Sequence, residues 1–206
     1  MLAAVGGLPA HTWVSNIEPS RFQTGRAYVS FDGHQTDDMA TYMYRTDDFG
    51  ATWTRITGTG VTGFAHVIRE DLKKENLLFA GTEFGLFLTI DGGKQWAQFT
   101  GNLPGVAVRD VKIHPRENDL IIATHGRGVY VLDDITPIRK LTPDVMTAPL
   151  TVLEGAPNPI RFSGIVQDFS SGDEFGGRNP QDAAFITYYL RDRAISMSRC
   201  SMPRIG

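Results

Sequence analysis

Three shortages in the sequence limit the kinds of protein that this chain can be. It has one cysteine, Cys200, among 206 residues, so no intrachain disulfide can form and the redox compartment cannot be inferred. Basic residues number 20 against 23 acidic ones, and the net charge of -3 argues against a nucleic-acid partner. No apolar run approaches the roughly 20 residues that cross a bilayer, and the stretch 1–7 lacks the basic residues of a signal peptide. We therefore expect neither a membrane span nor a signal peptide in this chain.

Motifs of several common enzymes are also missing. The chain has no Gly-x-Ser-x-Gly elbow, no His-Glu-x-x-His motif, no phosphate-binding glycine loop and no Cys-x-x-Cys pair. Its hydrophobic share of 41% and aromatic share of 10% are nevertheless ordinary for a globular protein. The chain is therefore long enough and apolar enough to form one good core.

One octapeptide pattern, Thr-x-Asp-x-Gly-x-x-Trp, occurs twice at a separation of 43 residues. Its four positions are occupied by Thr46, Asp48, Gly50 and Trp53, and again by Thr89, Asp91, Gly93 and Trp96. We expect a buried aspartate to accept N–H groups of its own turn and the glycine to supply positive φ. The indole should cover the turn with apolar surface. Two copies at a fixed period indicate a repeat architecture.

The octapeptide resembles the Asp-box, or BNR repeat, of sialidase-like and sortilin-type β-propellers. In that family the box is a structural hairpin of the blade, remote from the catalytic or binding face. The resemblance therefore implies a fold, and it implies little about activity because one fold hosts many functions. It also favours a structural role for Asp48 and Asp91 over a catalytic pair of carboxylates.

The strand pattern follows the same period and predicts three units. β-branched and aromatic runs bounded by Gly, Asn and Asp are typical of buried strands. First strands are predicted at 13–19, 65–71 and 111–115, and second strands at 27–30, 77–80 and 120–123. Third strands are predicted at 42–45, 86–89 and 129–132, and fourth strands at 53–56 and 96–99. We predict an all-β chain: a β-propeller fragment of about three four-stranded blades over residues 8–140, with Asp-box turns and a partial C-terminal β segment.

The third unit departs from the pattern and is expected to end the propeller. It keeps Asp134 but has neither the glycine nor the tryptophan, and Pro137 cannot donate a ladder N–H. The stretch 123–137 is similar to the closing blade of large bacterial sortilin-like proteins that are often labelled glycosyl hydrolases. Beyond it we predict a linker and loop over 141–182, and then one strand of an incomplete β-sandwich and a disordered tail over 183–206. That strand, at 183–190, resembles the opening of the β-sandwich that follows the propeller in those proteins.

Three blades do not close a ring, because propellers typically have four to eight. An open arc would expose strand edges and two blade faces, which favours association. We therefore expect either a homo-oligomer that completes the ring or an exposed apolar flank.

Blade topology also places the candidate functional residues. The loops between second and third strands share one face, the mouth, with the crossings between blades, whereas the octapeptide turns lie on the opposite face. The residues that we expect at the mouth are Asp32, His34, Asp37, Asp38, Glu83, His125 and Arg127. Carboxylates near a histidine suit a calcium ion, for which Asp32, Asp37 and Asp38 are the candidate ligands, or general acid and base catalysis.

Structural alternatives stand beside these assignments. The long loop 31–41 is also explained as a solvated loop whose aspartates cap turns, and His125 and Arg127 as packing between closing blades through Asp133 or Asp134. No shared ligand role is expected for His11 and His66. The residues Glu18, Glu70 and His114 follow the first strands at matching places and are expected in solvated turns. Sialidase activity is doubtful, because only Arg127 and Arg109 face the mouth where three arginines are needed.

Three functional hypotheses follow. The first is a module of an exported sortilin-like bacterial protein that binds a small molecule, a glycan or a peptide at the mouth. The second is a hydrolase, acting on a glycoside or, with calcium, on a lactone or ester. The third is a truncated fragment without activity of its own. The compartment is not determined by the residues, although the resemblance implies an exported parent.

Overall fold

A computed structural model describes residues 5–155 and 186–192. The chain divides into two compact units, Met1–Thr142 and Pro143–Gly206. The described residues are almost entirely β-structure, joined by tight turns and short helices. The predicted all-β class is confirmed.

The first unit contains successive antiparallel sheets, each formed by strands that are neighbours in sequence. Blade 1 comprises β1 (Trp13–Pro19), β2 (Ala27–Gly33), β3 (Asp38–Thr46) and β4 (Thr54–Arg55). Blade 2 comprises β5 (Ala65–Glu70), β6 (Leu78–Thr82), β7 (Gly85–Thr89) and β8 (Ala97–Gln98). Blade 3 comprises β9 (Val108–Ile113), β10 (Leu120–Thr124) and β11 (Val129–Leu132). The first strands of neighbouring blades contact each other, β1 with β5 and β5 with β9, and the first unit is an arc of a β-propeller.

Blade 3 has three strands in the described part of the chain, where we expected about four per blade. After β11 the chain turns at Asp134, which has a φ of 47°, and forms helix α1 (Thr136–Arg139). Pro137 lies in the first turn of α1, where its missing N–H costs no helical hydrogen bond. Without the glycine and tryptophan of the octapeptide, the chain has no turn that would return it as a fourth strand.

Apolar side chains fill the spaces between blades because successive strand residues point to opposite faces. Tyr28 and Met43 of blade 1 pack with Ile68 and Phe87 of blade 2. A second cluster between blades 2 and 3 contains Phe79, Leu86, Val111, Leu120 and Ile135, among others. The opposite face of blade 1 is covered in part by Val5 and Leu8 from the N-terminal segment.

Both octapeptide turns have the predicted hydrogen bonds to aspartate: Asp48 Oδ1 accepts the Thr52 N–H at 2.8 Å, and Asp91 Oδ1 accepts the N–H groups of Lys94 and Gln95 at 2.9 and 3.1 Å. The threonine adds further bonds. Thr46 Oγ1 donates to Asp48 Oδ1 at 2.8 Å and accepts the Gly50 N–H at 2.9 Å, and the second turn repeats these bonds at 2.7 and 3.1 Å. The predicted positive φ is confirmed, at 87° for Gly50 and 99° for Gly93. The turns are thus held by bonds within eight consecutive residues.

The expected burial of the two aspartates is wrong, since Asp48 and Asp91 are exposed residues. Their oxygens are nevertheless engaged by the turn. The hydroxyl and the N–H of Thr52, with the Thr46 hydroxyl, lower the pKa of Asp48 to about 2. At Asp91, desolvation raises the pKa, but hydrogen bonds from Thr89 and from backbone N–H groups outweigh it, so that the pKa is lowered. Hydrogen bonds to the charged carboxylates therefore keep both aspartates ionised, and burial does not.

Two of the three residues expected in solvated turns link blades instead. Glu70 is 1% exposed and accepts hydrogen bonds from the Tyr28 hydroxyl at 2.9 Å and from the Arg21 N–H at 2.9 Å. Glu18 pairs with Arg69 across the first strands at 2.6 Å. The expectation of solvated turns was wrong for both, because each carboxylate meets a donor from another blade. His114 does lie in a turn, where its Nδ1 accepts the Glu117 N–H.

Helix α1 is tied to blade 2 by a buried ion pair. Asp71, which is 0% exposed, receives Nε of Arg139 at 2.9 Å and Nη2 at 2.9 Å. Arg139 Nη1 also donates to Asn118 Oδ1 at 2.7 Å. Asp71 Oδ2 also accepts hydrogen bonds from the backbone N–H groups of Lys73 and Lys74. Helix α1, which follows β11 in place of a fourth strand, is thus bonded through Arg139 to Asp71, which lies 68 positions earlier in the chain.

The second unit contains structure where we expected a linker. Helix α2 (Pro143–Thr147) and strand β12 (Leu150–Leu153) lie within the range 141–182. Strand β12 pairs antiparallel with β13 (Thr187–Leu190), which falls inside the strand predicted at 183–190. The rest of the predicted linker and loop, residues 156–182, and most of the predicted tail lie outside the described residues. No helix in the described ranges has the length and apolar character required to span a membrane.

Candidate functional site

The loop between β2 and β3 is shorter than the sequence suggested. Asp32 belongs to β2, Asp38 begins β3, and Gly33 pairs with Asp38 across the hairpin. A 3-10 turn over His34–Thr36 and Asp37 in the left-handed region, with a φ of 62°, complete the connection. The expected long loop of 31–41 is therefore a tight hairpin that holds its carboxylates in a fixed order.

Asp32 and His34 form a dyad at the tip of this hairpin. His34 Nδ1 lies 2.6 Å from Asp32 Oδ1, which also accepts the backbone N–H of His34 at 2.9 Å. The imidazole stacks on Phe64, with ring centroids 4.8 Å apart and an interplanar angle of 18°. When Nδ1–H donates to the carboxylate, Nε2 carries the free lone pair. The dyad therefore presents an oriented base, and its histidine side chain is 41% exposed.

His66 joins this site, although the sequence analysis gave it no role. Its Nε2 lies 3.2 Å from Glu83 Oε2, and its Nδ1 lies 3.2 Å from Nη1 of Arg109. A guanidinium can only donate, so Nδ1 must accept and Nε2–H must donate to Glu83. The ring also meets Phe64 edge to face at 5.0 Å. His66 is thus held in one tautomer by neighbours from two blades.

The same surroundings lower the pKa of His66. Burial is the largest cause, and the positive charge of Arg109 acts in the same direction. Glu83 and Asp32, whose Oδ2 lies 4.0 Å from Nδ1, oppose the shift without reversing it. The imidazole therefore remains neutral at neutral pH.

A signal for His66 was present in the sequence. His66 and Arg109 are 43 residues apart, so they occupy the same position of consecutive units, and each is the second residue of a first strand. A bulge between Ala65 and Val67 interrupts the pairing of β5 with β6 beside this residue. Two ionisable residues at one repeat position would have indicated a shared site.

The expected calcium ligands do not form a common site. Asp38 accepts the Tyr42 hydroxyl at 2.8 Å and the Ala40 N–H at 3.0 Å, whereas Asp32 serves His34. Asp37 is exposed in the left-handed turn. No group of three or more His, Cys, Asp or Glu residues that could hold a metal ion occurs within the described ranges. Asp32 and Asp38 are directed by hydrogen bonds of their own hairpin, as in the alternative of turn-capping aspartates, and calcium binding by these carboxylates stays a prediction.

His125 and Arg127 are exposed in the turn between β10 and β11. The turn is closed by Thr124, whose N–H and hydroxyl both donate to Gly128 O, at 3.1 and 2.7 Å. The His125 N–H donates to Ala107 O at 2.9 Å. Their exposure contradicts the alternative of packing between closing blades. The structure gathers Asp32, His34 and Glu83 with His66 and Arg109, around Phe64; we call these six residues the mouth cluster.

Three exposed apolar side chains lie near the mouth cluster. Two directly follow hairpin residues in sequence, and one is paired with Asp32 across two strands. Phe84, which is 55% exposed, follows Glu83 directly, and Met39, which is 54% exposed, follows Asp38. Trp13, which is 60% exposed, pairs with Asp32 in the β1–β2 ladder. The mouth therefore combines a cation, carboxylates and apolar surface, the mixture that ligand sites use for affinity and orientation.

No protein-family model and no curated protein matches the chain. Among solved structures it is similar to an ancestral GH74 enzyme, with 19% identity and a TM-score of 0.47 over 56% of this chain and 14% of that one. It is also similar to the GH74 enzyme of Niastella koreensis, with 17% identity and a TM-score of 0.46 over 57% and 21% of the two chains. A third similarity, to YCF48 bound to D1 peptide, has 18% identity and a TM-score of 0.38 over 54% and 33%. The chain thus spans a third or less of these proteins.

Proposed function

We propose that the chain is a ligand-binding β-propeller module whose site is the mouth cluster. The observation that carries this proposal is the arrangement of His66, a buried neutral histidine fixed between Arg109 and Glu83. A buried histidine with one tautomer and partners from two blades is a preorganised group, which reduces the ordering cost of binding.

The chemistry of the cluster indicates what it would bind. Arg109 is exposed, and the guanidinium N–H groups that do not bond His66 suit carbonyl or anionic oxygens. The Glu83 side chain is 35% exposed and can accept hydrogen bonds from hydroxyl or amide groups. Phe84 adds an exposed aromatic face beside them. A small molecule, a glycan or a peptide with donors, acceptors and an apolar face fits this combination.

Binding is tested on panels of peptides and glycans with the full chain and two variants that remove a charge, Arg109→Gln and Glu83→Gln. We expect each variant to lose at least roughly tenfold in affinity for any ligand of the mouth, because a charged hydrogen bond is worth about 1.5–3 kcal/mol. Arg116→Gln is the control, since that arginine is 82% exposed in the turn between β9 and β10. A ligand that binds all four proteins equally would place binding elsewhere.

The Asp32–His34 dyad favours a hydrolase as the second candidate. A carboxylate that holds Nδ1–H leaves Nε2 available as a general base toward water. The test is turnover of glycosides, esters and lactones by the full chain and by His34→Gln. Turnover that survives His34→Gln unchanged would contradict the assignment of His34 as base, and no turnover by folded protein would leave the binding module or the inactive fragment. For calcium-dependent hydrolysis, the described residues contain no group of three or more His, Cys, Asp or Glu side chains that could hold the ion.

We also propose that the parent is an exported Asp-box protein of the sortilin-like class. The support is the pair of octapeptide turns, in which threonine, aspartate and glycine make matching hydrogen bonds. Fractionation of the source cells tests export, because a parent found wholly in the cytosol would contradict it.

We also propose that the chain forms a homo-oligomer through the edge of blade 3. Strand β11 is an edge strand that exposes Val129 by 64% and Val131 by 56%, and such edges favour pairing with another chain. Sedimentation of the wild type and of a Val129→Lys, Val131→Lys variant tests this, with self-association expected in the wild type alone. A wild type that sediments as a monomer at all concentrations would contradict it.

A further inference from the structure

The face of blade 1 that points away from blade 2 carries an apolar groove of about 370 Å³. Its apolar lining comes chiefly from Ile17, Pro19, Ala27, Phe49 and Trp53. The groove thus lies at the octapeptide turn of blade 1, on the side opposite the blade 2 interface. The corresponding turn of blade 2 shows what such a position receives.

In blade 2 the octapeptide turn is occupied by the segment that leaves blade 1. The Trp96 N–H donates to Thr59 O at 2.8 Å, and the Thr59 N–H donates to Lys94 O at 3.2 Å. The Gly58 N–H donates to Gly93 O at 3.1 Å. The segment therefore adds to the turn in the parallel direction, as the bridge between Thr59 and the residue before Trp96 also shows.

The tryptophan and two glycines define the sequence that this position accepts. Trp96 Nε1 donates to Ile56 O at 3.0 Å, which anchors the aliphatic residue at the start of the segment. A Cβ on Gly58 would overlap Lys94 O, and a Cβ on Gly60 would overlap Trp96 O. The close approach of the two backbones therefore requires the pattern aliphatic-x-Gly-x-Gly.

Blade 1 presents the same turn without an occupant from the described residues. Trp53 Nε1 donates to Gly50 O at 3.2 Å, as Trp96 Nε1 donates to Gly93 O at 3.2 Å. The counterpart of the bond from Trp96 to Ile56 is not formed within the described ranges. A Cβ on Gly50 would meet nothing nearer than the Trp53 ring at 3.5 Å, whereas one on Gly93 would meet Ile56 O at 2.7 Å. Accordingly Trp53 is half-buried and Trp96 is 5% exposed.

Phe49 is a second, independent indication of a binding surface. It lines the groove, is 81% exposed and has a φ of 58°. A bulky residue in the left-handed region is strained, and a large exposed aromatic side chain contributes nothing to the core. The φ belongs to the turn, since Gly92 at the matching position has a φ of 73°, whereas the exposure of Phe49 is explained if it contacts a partner in the groove.

We propose that this groove binds an extended aliphatic-x-Gly-x-Gly segment, the strand end of another propeller blade, supplied by a partner polypeptide. A second copy of this chain offers no free segment of this kind among the residues that the structure describes. Its Ile56–Gly60 stretch is bound to its own blade 2, the matching stretch after β8 reads Phe-Thr-Gly-Asn-Leu, and helix α1 stands where blade 3 would provide one.

The probe is a capped synthetic peptide with the sequence of residues 54–61, added to the isotope-labelled full chain. The three tryptophans give indole N–H signals in NMR spectra, which are assigned with single Trp→Phe variants. We expect a saturable shift of the Trp53 indole signal, as Nε1 gains a carbonyl acceptor, with a dissociation constant of about 0.1 to 1 mM. The signals of Trp96 and Trp13 should not move.

Two altered peptides and one protein variant make the test specific. A peptide with Gly58→Ala should bind at least roughly tenfold more weakly, because its Cβ meets the turn backbone, and one with Thr57→Ala should bind as the parent does. Phe49→Ala in the protein should also weaken binding. Equal binding of the Gly58→Ala peptide, or no Trp53 shift at about 5 mM peptide, would overturn the proposal. So would a Trp53 shift that depends on protein concentration without peptide, since a second copy would then fill the groove.

Discussion

The ion pair between Asp71 and Arg139 makes the strongest prediction about stability. The carboxylate is 0% exposed, and the arginine side chain is 8% exposed. Arg139→Met keeps most of the apolar stem but leaves a buried carboxylate with only the N–H groups of Lys73 and Lys74. Removing one partner of a buried pair typically costs about 3–5 kcal/mol, because the other charge stays unpaired. We expect that loss in the free energy of unfolding, against about 5–15 kcal/mol for a whole domain.

The assay is equilibrium unfolding in urea, followed by tryptophan fluorescence. All three tryptophans belong to the first unit, so the signal reports the unit that contains the ion pair. Arg116→Met is the matched control, because Arg116 pairs with Glu117 on the surface and should change stability by less than about 1 kcal/mol.

A double variant separates the pair from the side chains. Asp71→Asn with Arg139→Met should lose less than the sum of the two single losses, because neither buried charge remains. An Arg139→Met variant within about 0.5 kcal/mol of the wild type, with unchanged urea dependence, would refute the reasoning. Helix α1 would then not depend on blade 2 for its position.

Further predictions concern the blade junction and two titrating groups. Gly58→Ala in the protein should lower the free energy of unfolding by about 1–3 kcal/mol, because the added Cβ overlaps Lys94 O; an unchanged urea midpoint would contradict this. The pKa of Asp48 is about 2 when folded and about 3.9 when unfolded, so its contribution is present above about pH 4 and lost toward pH 2. The stability difference between wild type and Asp48→Asn should shrink over that window, and a difference that is constant with pH would count against it. The folded pKa of His66 is lowered by burial and by Arg109, so folding is favoured above the unfolded value of about 6.5 and weakened as pH falls below it. NMR titration should find a midpoint below that value, and His66→Gln should remove this pH dependence; a higher midpoint would refute the assignment.

Part of the mouth could be predicted from sequence because it is local. Asp32 and His34 are two residues apart, and their dyad needs only the hairpin between β2 and β3. The calcium hypothesis rests on the same kind of local spacing. Spacing shows that carboxylates are near each other, but the direction of each depends on hairpin bonds such as the one from Tyr42 to Asp38.

The sequence alone determined the repeat, most of the strands and the two octapeptide turns. Their hydrogen bonds join residues within eight positions, as when Thr46 donates to Asp48 and accepts from Gly50, so residue identity and spacing are sufficient to specify them. Strand β11 was predicted with its observed bounds for a related reason, since a β-branched and aromatic run bounded by Gly128 and Asp133 is also a local signal.

Only the tertiary structure decided how blades are joined and which groups meet at the mouth. His66 meets Arg109 across 43 positions, Glu70 meets Tyr28 across 42, and Asp71 meets Arg139 across 68. Such contacts depend on the stacking of one blade on the next, which brings together groups that no local pattern relates. A polar residue in a strand gives the same sequence pattern whether its side chain faces water or another residue. The position of the neighbouring blade determines which of the two it contacts.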